Sequence, residues 1–225
     1  QDNFLGKGNN VAIEVEKSSY KKLIRYRDTN PYYTSDGISK STSLVYSETD
    51  VSETSTAAYI SDTIAYGVNF NVPISETRSY GYGGEIVLTD YTTTIGSPAN
   101  VTDFINKHGN SHIGLLLNAS IVEDTRDRTV YATQGKRQGI KSNLYIPPDF
   151  DYSYASIKFS GEYNTPYKLN VLDMFDWNTS FQIKPQIGIG IGLIGSSNLP
   201  FHDKFFAGGD KTVRGFDSGS LGPLM

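Results

Sequence analysis

The segment Phe181-Gln-Ile-Lys-Pro-Gln-Ile-Gly-Ile-Gly-Ile-Gly-Leu193 shows the clearest alternation in the chain. Its odd positions are apolar apart from Pro185, and its even positions are glutamine, lysine or glycine. Because successive side chains of a β-strand point to opposite faces, this pattern predicts a strand with one apolar face and one polar or bare face. The segment is long enough to cross a bilayer as a tilted strand.

Similar alternation recurs upstream and predicts about nine strands, between about residues 11 and 193, joined as meandering hairpins. Compact turns and longer polar loops follow one another roughly in alternation, which is typical of outer-membrane barrels. In the polar loop 92–111 we expect one or two helical turns over 101–107, with Thr102 as the N-cap and Gly109 after the end.

Composition limits the alternatives. The 225 residues are 37% hydrophobic, and no run of about 18 apolar residues that would form a membrane-spanning helix is present. Sixteen tyrosines, eleven phenylalanines and 22 glycines favour strands and turns. The absence of cysteine argues against a disulfide scaffold or a thiolate metal site, and a net charge of -4 without a basic block argues against a nucleic-acid partner.

The second informative stretch is Asp203-Lys-Phe-Phe-Ala-Gly-Gly-Asp-Lys-Thr-Val-Arg-Gly-Phe-Asp-Ser-Gly-Ser-Leu-Gly-Pro223. Here Gly208, Gly209 and Gly215 loosen the backbone around Arg214, and Val213 and Phe216 lie on either side of Arg214-Gly215. We expect a large loop over about 194–225 and beyond. Loops of such length are usually functional.

This stretch resembles the Val-Arg-Gly-Phe/Tyr loop of the outer-membrane β-barrel assembly proteins. Three further segments resemble turns of the same superfamily: Gln1-Asp-Asn-Phe-Leu-Gly, Thr29-Asn-Pro-Tyr-Tyr and the Asp-x-Arg-Asp turn at 124–127, where Ala132 replaces the usual proline. The resemblance covers essentially the whole chain as one domain, 1–225. It implies an all-β, transmembrane antiparallel meander barrel that is incomplete, with about nine strands plus the large lumen loop.

The resemblance further implies an integral protein of the bacterial outer membrane that folds and inserts other β-barrel proteins. Its implied partners are unfolded outer-membrane protein clients, assembly-complex lipoproteins and outer-membrane lipid, without a cofactor. The arginine of the loop is implied to be held by the barrel wall. Alternatives are a secretion or translocation pore of the same superfamily and a passive porin.

The polar faces of the predicted strands give a candidate lumen wall of mixed sign. Its members are Glu14, Arg25, Arg27, Glu85, Lys158, Glu162, Lys184, Gly188, Gly190 and Gly192. The last three form a glycine strip just before the loop, which indicates either tight curvature or room for the loop to pass. Of these residues Glu14, Glu85 and Glu162, with Glu16, are the candidate neighbours of Arg214.

A soluble β-sandwich would show the same alternation, since its apolar faces meet in a core. We expect no enzyme: His108 and His112 lack the helical glutamate of a zinc protease, and neither a Gly-x-Ser-x-Gly elbow nor a phosphate loop is present. No catalytic or metal-binding residue is therefore predicted. Both ends of the chain look cut, since it opens without a methionine and stops within the expected loop.

Overall fold

The structure is a computed structural model that describes residues 6, 8–50, 58–171, 175–194, 199–209, 212–217 and 220–222, with the side chains of 168–178 left aside. Residues 1–5 of the turn predicted at Gln1-Asp-Asn-Phe-Leu-Gly lie outside the described residues. No helix in the described ranges is long and apolar enough to span a bilayer.

The described chain is dominated by one antiparallel sheet in which neighbours in sequence are neighbours in space. Its strands are β1 Asn10–Lys17, β2 Lys21–Asn30, β3 Ser39–Asp50, β4 Tyr59–Pro73, β5 Arg78–Thr93, β6 Ser111–Asp124, β7 Gly135–Ile146, β8 Tyr154–Val171, β9 Phe175–Ile183 and β10 Gln186–Gly192. Among the described residues β1 does not pair with β10, so the sheet remains open. The prediction of an incomplete meander barrel is confirmed.

The stretch predicted as a single last strand forms β9 and β10, which both pair with β8. Their registers agree across the break, because Tyr163 faces Ile183 and Ser160 faces Gln186. Pro185 lacks an N–H for the ladder, although its carbonyl still accepts a hydrogen bond of 2.9 Å from Gly161 N–H. The two segments therefore occupy one row of the sheet, and the predicted count of about nine strands holds.

Two predicted boundaries were wrong. The helix α1, Ala99–His108, begins three residues before Thr102, with Pro98 as N-cap, and Gly109 follows its end as expected. The Thr102 hydroxyl lies within the helix and donates to the Pro98 carbonyl at 2.9 Å. The outer part of the β8–β9 hairpin was missed as well, since Pro166 and the polar residues around it obscure the alternation.

The apolar face of the sheet is uncovered. Ile64, Ile121 and Ile187 are 49%, 45% and 60% exposed, and no second sheet packs on them within the described part of the chain. In a β-sandwich the same residues would be buried between two sheets. The sandwich alternative is therefore wrong, and the apolar face has the character of a surface that meets lipid.

Candidate functional site

The opposite face of the sheet is polar and glycine-rich. Cross-strand pairing forms a continuous row from Arg27 through Gly67, Glu85 and Tyr154 to Gly192. By this register all predicted wall residues on strands share one face: Glu14, Arg25, Arg27, Glu85, Lys158, Glu162, Gly188, Gly190 and Gly192. Lys184 lies at the break between β9 and β10. That this face lines a lumen stays a prediction.

Side chains on this face bond across the strands. Arg25 Nη1 contacts Glu14 Oε2 at 2.6 Å, which joins β1 to β2. Asn118 donates to Asn69 at 2.9 Å, and Asn69 donates to Glu85 at 3.3 Å. Gly67 makes room for this chain of bonds, because a Cβ there would lie 2.5 Å from Glu85 Cγ. The bare glycines thus allow larger polar neighbours to fold over them.

The long loop after β10 lies against the glycine strip. A Cβ on Gly188 would come within 2.8 Å of the Phe205 ring, and a Cβ on Gly190 would lie 2.7 Å from Leu199 Cγ. Real Cβ atoms do not approach other carbon atoms so closely. We call Gly188 and Gly190 the loop seat, because the missing side chains provide the space that Leu199 and Phe205 occupy.

An aromatic cluster fixes the first part of the loop. A short 3-10 helix, Phe201–Asp203, places the buried Phe201 ring 5.0 Å from Tyr59 and 5.2 Å from Tyr91. Phe104 of α1 packs 5.3 Å from the same ring. Aromatic contacts of this kind stabilise the fold beyond the effect of the surface area that they bury. The loop is therefore held at the end of the sheet where the longer loops lie.

The three histidines lie around this cluster. His112 contacts the Tyr152 hydroxyl at 2.8 Å and the Gly109 carbonyl at 3.0 Å, while His108 contacts Asp151 at 2.8 Å. Burial lowers the pKa of His202 to about 4. In the described ranges no group of three or more histidine and acidic side chains is arranged to hold a metal ion. The histidines have structural contacts here.

The motif segment forms a closed loop of its own. Ala207 and Leu221 bond each other through both backbone groups, at 2.6 and 2.9 Å, and Gly209 N–H donates to the Phe216 carbonyl. Positive φ angles of 114° at Gly208 and 91° at Gly209 explain why two glycines precede the motif. Gly215, with φ of 88°, provides the turn directly after Arg214.

Val213, Arg214 and Phe216 are exposed at the tip of this closed loop. No ion pair links Arg214 to its candidate neighbours Glu14, Glu16, Glu85 and Glu162 within the described residues, where each of these carboxylates contacts another side chain. The contacting side chains are Arg25 for Glu14, Lys21 for Glu16, Asn69 for Glu85, and Arg126 for Glu162. Pairing of Arg214 with the barrel wall stays a prediction.

Sequence analysis missed the role of Arg126. Its side chain, 9% exposed, bonds Asp124 through Nε and Nη2 at 2.9 and 2.7 Å and reaches Glu162 at 3.3 Å. Arg126 thereby ties the β6–β7 turn to β8. The contact to Glu162 spans 36 residues, so sequence spacing gave no sign of it; the Asp-x-Arg-Asp motif was the one available signal.

Asp127 holds the rest of this turn. Its carboxylate accepts the Thr133 hydroxyl at 2.7 Å and the backbone N–H groups of Thr133 and Gln134 at 3.0 and 3.3 Å. The Thr133 hydroxyl and then these N–H groups hold the pKa of Asp127 well below its usual range. Asp124 and Arg126 thus bond each other and connect the turn to β8, whereas Asp127 bonds the backbone within the turn.

The antiparallel sheet is open, and its apolar face is uncovered. Its other face is polar and of mixed sign, and a long loop folds onto it. These features define a segment of a transmembrane β-barrel of the outer-membrane type. The family model for the Omp85 superfamily domain matches residues 3–225. The chain belongs to the Omp85 superfamily.

Two curated proteins are similar to the chain in sequence, and one solved structure is similar to it in fold. The outer membrane protein assembly factor BamA of Neisseria meningitidis is 25% identical over 235 residues, which cover 100% of this chain and 28% of that protein. A SAM50-like protein of Drosophila melanogaster is 25% identical over 99% of this chain and 48% of its own length. The crystal structure of BamA from Haemophilus ducreyi lacking POTRA domains 1–3 matches the fold with a TM-score of 0.81 at 22% identity, over 99% of this chain and 43% of that chain.

This chain spans less than half the length of each of these relatives.

Proposed function

We propose that this chain forms part of the barrel of a protein that folds and inserts other β-barrel proteins into a bacterial outer membrane. The observation that carries the proposal is the match to the Neisseria assembly factor along the whole chain, together with the loop that contains Val213-Arg-Gly-Phe216. The proposed partners are unfolded outer-membrane protein clients, assembly-complex lipoproteins and outer-membrane lipid. The proposed activity makes and breaks no covalent bond, so the proposed role is not that of an enzyme.

The physical basis is strand pairing. An exposed strand edge presents unpaired N–H and C=O groups, and it forms hydrogen bonds with an incoming strand of a client by β-augmentation. In hydrocarbon each unpaired backbone group costs several kcal/mol. A strand edge exposed at the seam, where the first and last strands of a barrel meet, therefore strongly favours such pairing. In this proposal the long loop braces the polar face and keeps the barrel in the shape that presents the seam.

The experiment compares two activities of the complete protein in liposomes. We expect it to accelerate insertion of a test β-barrel, scored by heat-modifiable mobility, and to show little steady ion conductance. Large steady conductance without accelerated insertion would identify a passive porin or a translocation pore instead.

Arg214 provides the residue-level prediction. We propose that it pairs with an acidic and an aromatic side chain of the barrel wall in the complete protein, since a planar guanidinium bonds a carboxylate through two N–H groups and stacks on a ring. Arg214→Lys is then expected to impair insertion, and Arg214→Ala to impair it more and to lower barrel stability by about 2 to 4 kcal/mol.

The matched control is Arg128→Ala, because the Arg128 side chain is 58% exposed in a turn. If Arg214→Ala leaves heat-modifiable mobility, protease access to the loop and insertion of the test barrel at the level of this control, Arg214 is not a brace.

A further inference from the structure

The uncovered apolar face of the sheet changes character abruptly at the end where the compact turns lie. Tyr80, Ile121, Ile140 and Phe159 are cross-strand neighbours in one apolar row across β5–β8. Two residues further towards the turns, the row on the same face consists of Arg78, Glu123, Gln138 and Gly161. Two residues of strand span only about 7 Å. The hydrocarbon boundary of one leaflet is therefore expected between these rows.

Glu123 holds two cations side by side in the polar row. Arg78 Nε and Nη2 both donate to Glu123 Oε1, at 3.1 and 2.9 Å. Lys136 Nζ and Gln138 Nε2 occupy Oε2, at 3.0 and 2.7 Å. With both carboxylate oxygens engaged, the two cations and one carboxylate carry a net charge of +1.

The two cations are nevertheless accessible. The Arg78 and Lys136 side chains are 59% and 40% exposed, against 15% for Glu123. A guanidinium has five N–H donors and an ammonium has three, so each cation keeps donors beyond those that Glu123 takes. The arrangement thus presents oriented cationic donors at the edge of the apolar surface.

A groove of about 260 Å³ connects Arg78 to the apolar row, and Lys136 lies next to the groove on the other oxygen of Glu123. Its walls are Ile121, Ile140 and Phe159, and its polar end is formed by Arg78, Glu123 and Gln138. Tyr163 Oη donates to Gln138 Oε1 at 2.9 Å, which fixes the Gln138 amide in the orientation that bonds Glu123. An apolar groove that ends at a net positive charge is complementary to an anionic amphiphile.

We propose that this groove binds a phospholipid of the leaflet on the compact-turn side, with the phosphate contacted by Arg78 and Lys136 and an acyl chain along Ile121, Ile140 and Phe159. The inference depends on the membrane-spanning sheet and not on the proposed assembly activity. A failed insertion assay would therefore leave it standing.

The test is a titration of the purified complete protein in detergent with phosphatidylglycerol, with bound lipid counted by native mass spectrometry. Each basic residue near an anionic headgroup contributes about 1 kcal/mol, which corresponds to roughly a fivefold change in Kd. Arg78→Gln with Lys136→Gln is thus expected to weaken the tightest lipid site by about 25-fold. Arg78→Lys with Lys136→Arg should stay within about twofold of wild type.

Arg25→Gln is the matched control, because Arg25 also forms a cross-strand pair with a glutamate but on the opposite face. Equal losses in this control and the double variant, or a double variant within twofold of wild type, would overturn the proposal. Should the double variant lose its heat-modifiable mobility, Lys136→Gln alone decides, since it leaves the Arg78–Glu123 bonds intact. A fivefold weakening then supports the site and an unchanged Kd refutes it.

Discussion

The loop seat can be tested by the addition of a single methyl group at Gly190. In Gly190→Ala the new Cβ would lie 2.7 Å from Leu199 Cγ and closer still to Leu199 Cδ1, so the Leu199 side chain must shift or the loop must move with it. Overpacking of this size costs about 1 to 3 kcal/mol. In the complete protein we expect this substitution to lower the free energy of unfolding, measured in urea, by that amount. We also expect it to make the loop 199–222 more accessible to protease.

Two further variants test the cause. Gly84→Ala adds a methyl to a strand glycine of β5 where the nearest atom, Leu117 Cδ2, is 3.3 Å away. It should be neutral or stabilising by less than about 1 kcal/mol, because alanine restricts the unfolded chain. Leu199→Ala removes the atoms that clash with the new Cβ. In a double-mutant cycle, Gly190→Ala should therefore cost about 1 to 2 kcal/mol less in the Leu199→Ala background than in the wild type. If Gly190→Ala matches Gly84→Ala, the loop does not rest on Gly190.

Three other predictions concern the turn, the loop and the two faces. Arg126→Ala should destabilise the complete barrel by about 1 to 3 kcal/mol in urea unfolding, because Asp124 and Glu162 both lose the cation that lies nearest to them, whereas Arg128→Ala should change it by less than about 1 kcal/mol. The pKa of His202 is lowered to about 4 from 6.5 by burial, so its contribution to loop stability is present above pH 6.5 and is lost as pH falls towards 4. The free energy of opening the loop, measured by protease access, should therefore be about 2 kcal/mol lower at pH 5 than above pH 6.5. His202→Gln should flatten this dependence on pH. Spin labels at Ile187 and Gln186 should differ in accessibility to a membrane-dissolved apolar quencher, and equal accessibility would contradict the assignment of the faces.

The sequence was sufficient for the sheet and insufficient for its contacts. The alternation of Ile187, Ile189 and Ile191 with glycine has a period of two, which only a strand with two unlike faces explains. The same reasoning placed Gly188 and Gly190 on the polar face. It did not show that Leu199 and Phe205 fill the space above them, because loop conformation does not follow from periodicity.

The errors have physical causes as well. Thr102 has the right side chain for an N-cap, but Pro98 already provides the extended residue at which the helix begins. The contact of Glu162 with Arg126 was missed because no spacing rule relates the two residues, and they meet only after β6, β7 and β8 have paired. Long-range ion pairs depend on register, which single-sequence patterns determine poorly.

The unequal length of β7 and β8 divides one strand into two cooperative units. Up to Asn164, β8 has β7 as a neighbour, but from Thr165 to Val171 it pairs with β9 alone. A two-stranded ribbon is only marginally stable in water, whereas a strand between two neighbours opens only when a ladder on each side breaks. Amide hydrogens in the outer part of this hairpin should therefore exchange with solvent orders of magnitude faster than those of 154–160, although both belong to the same continuous strand.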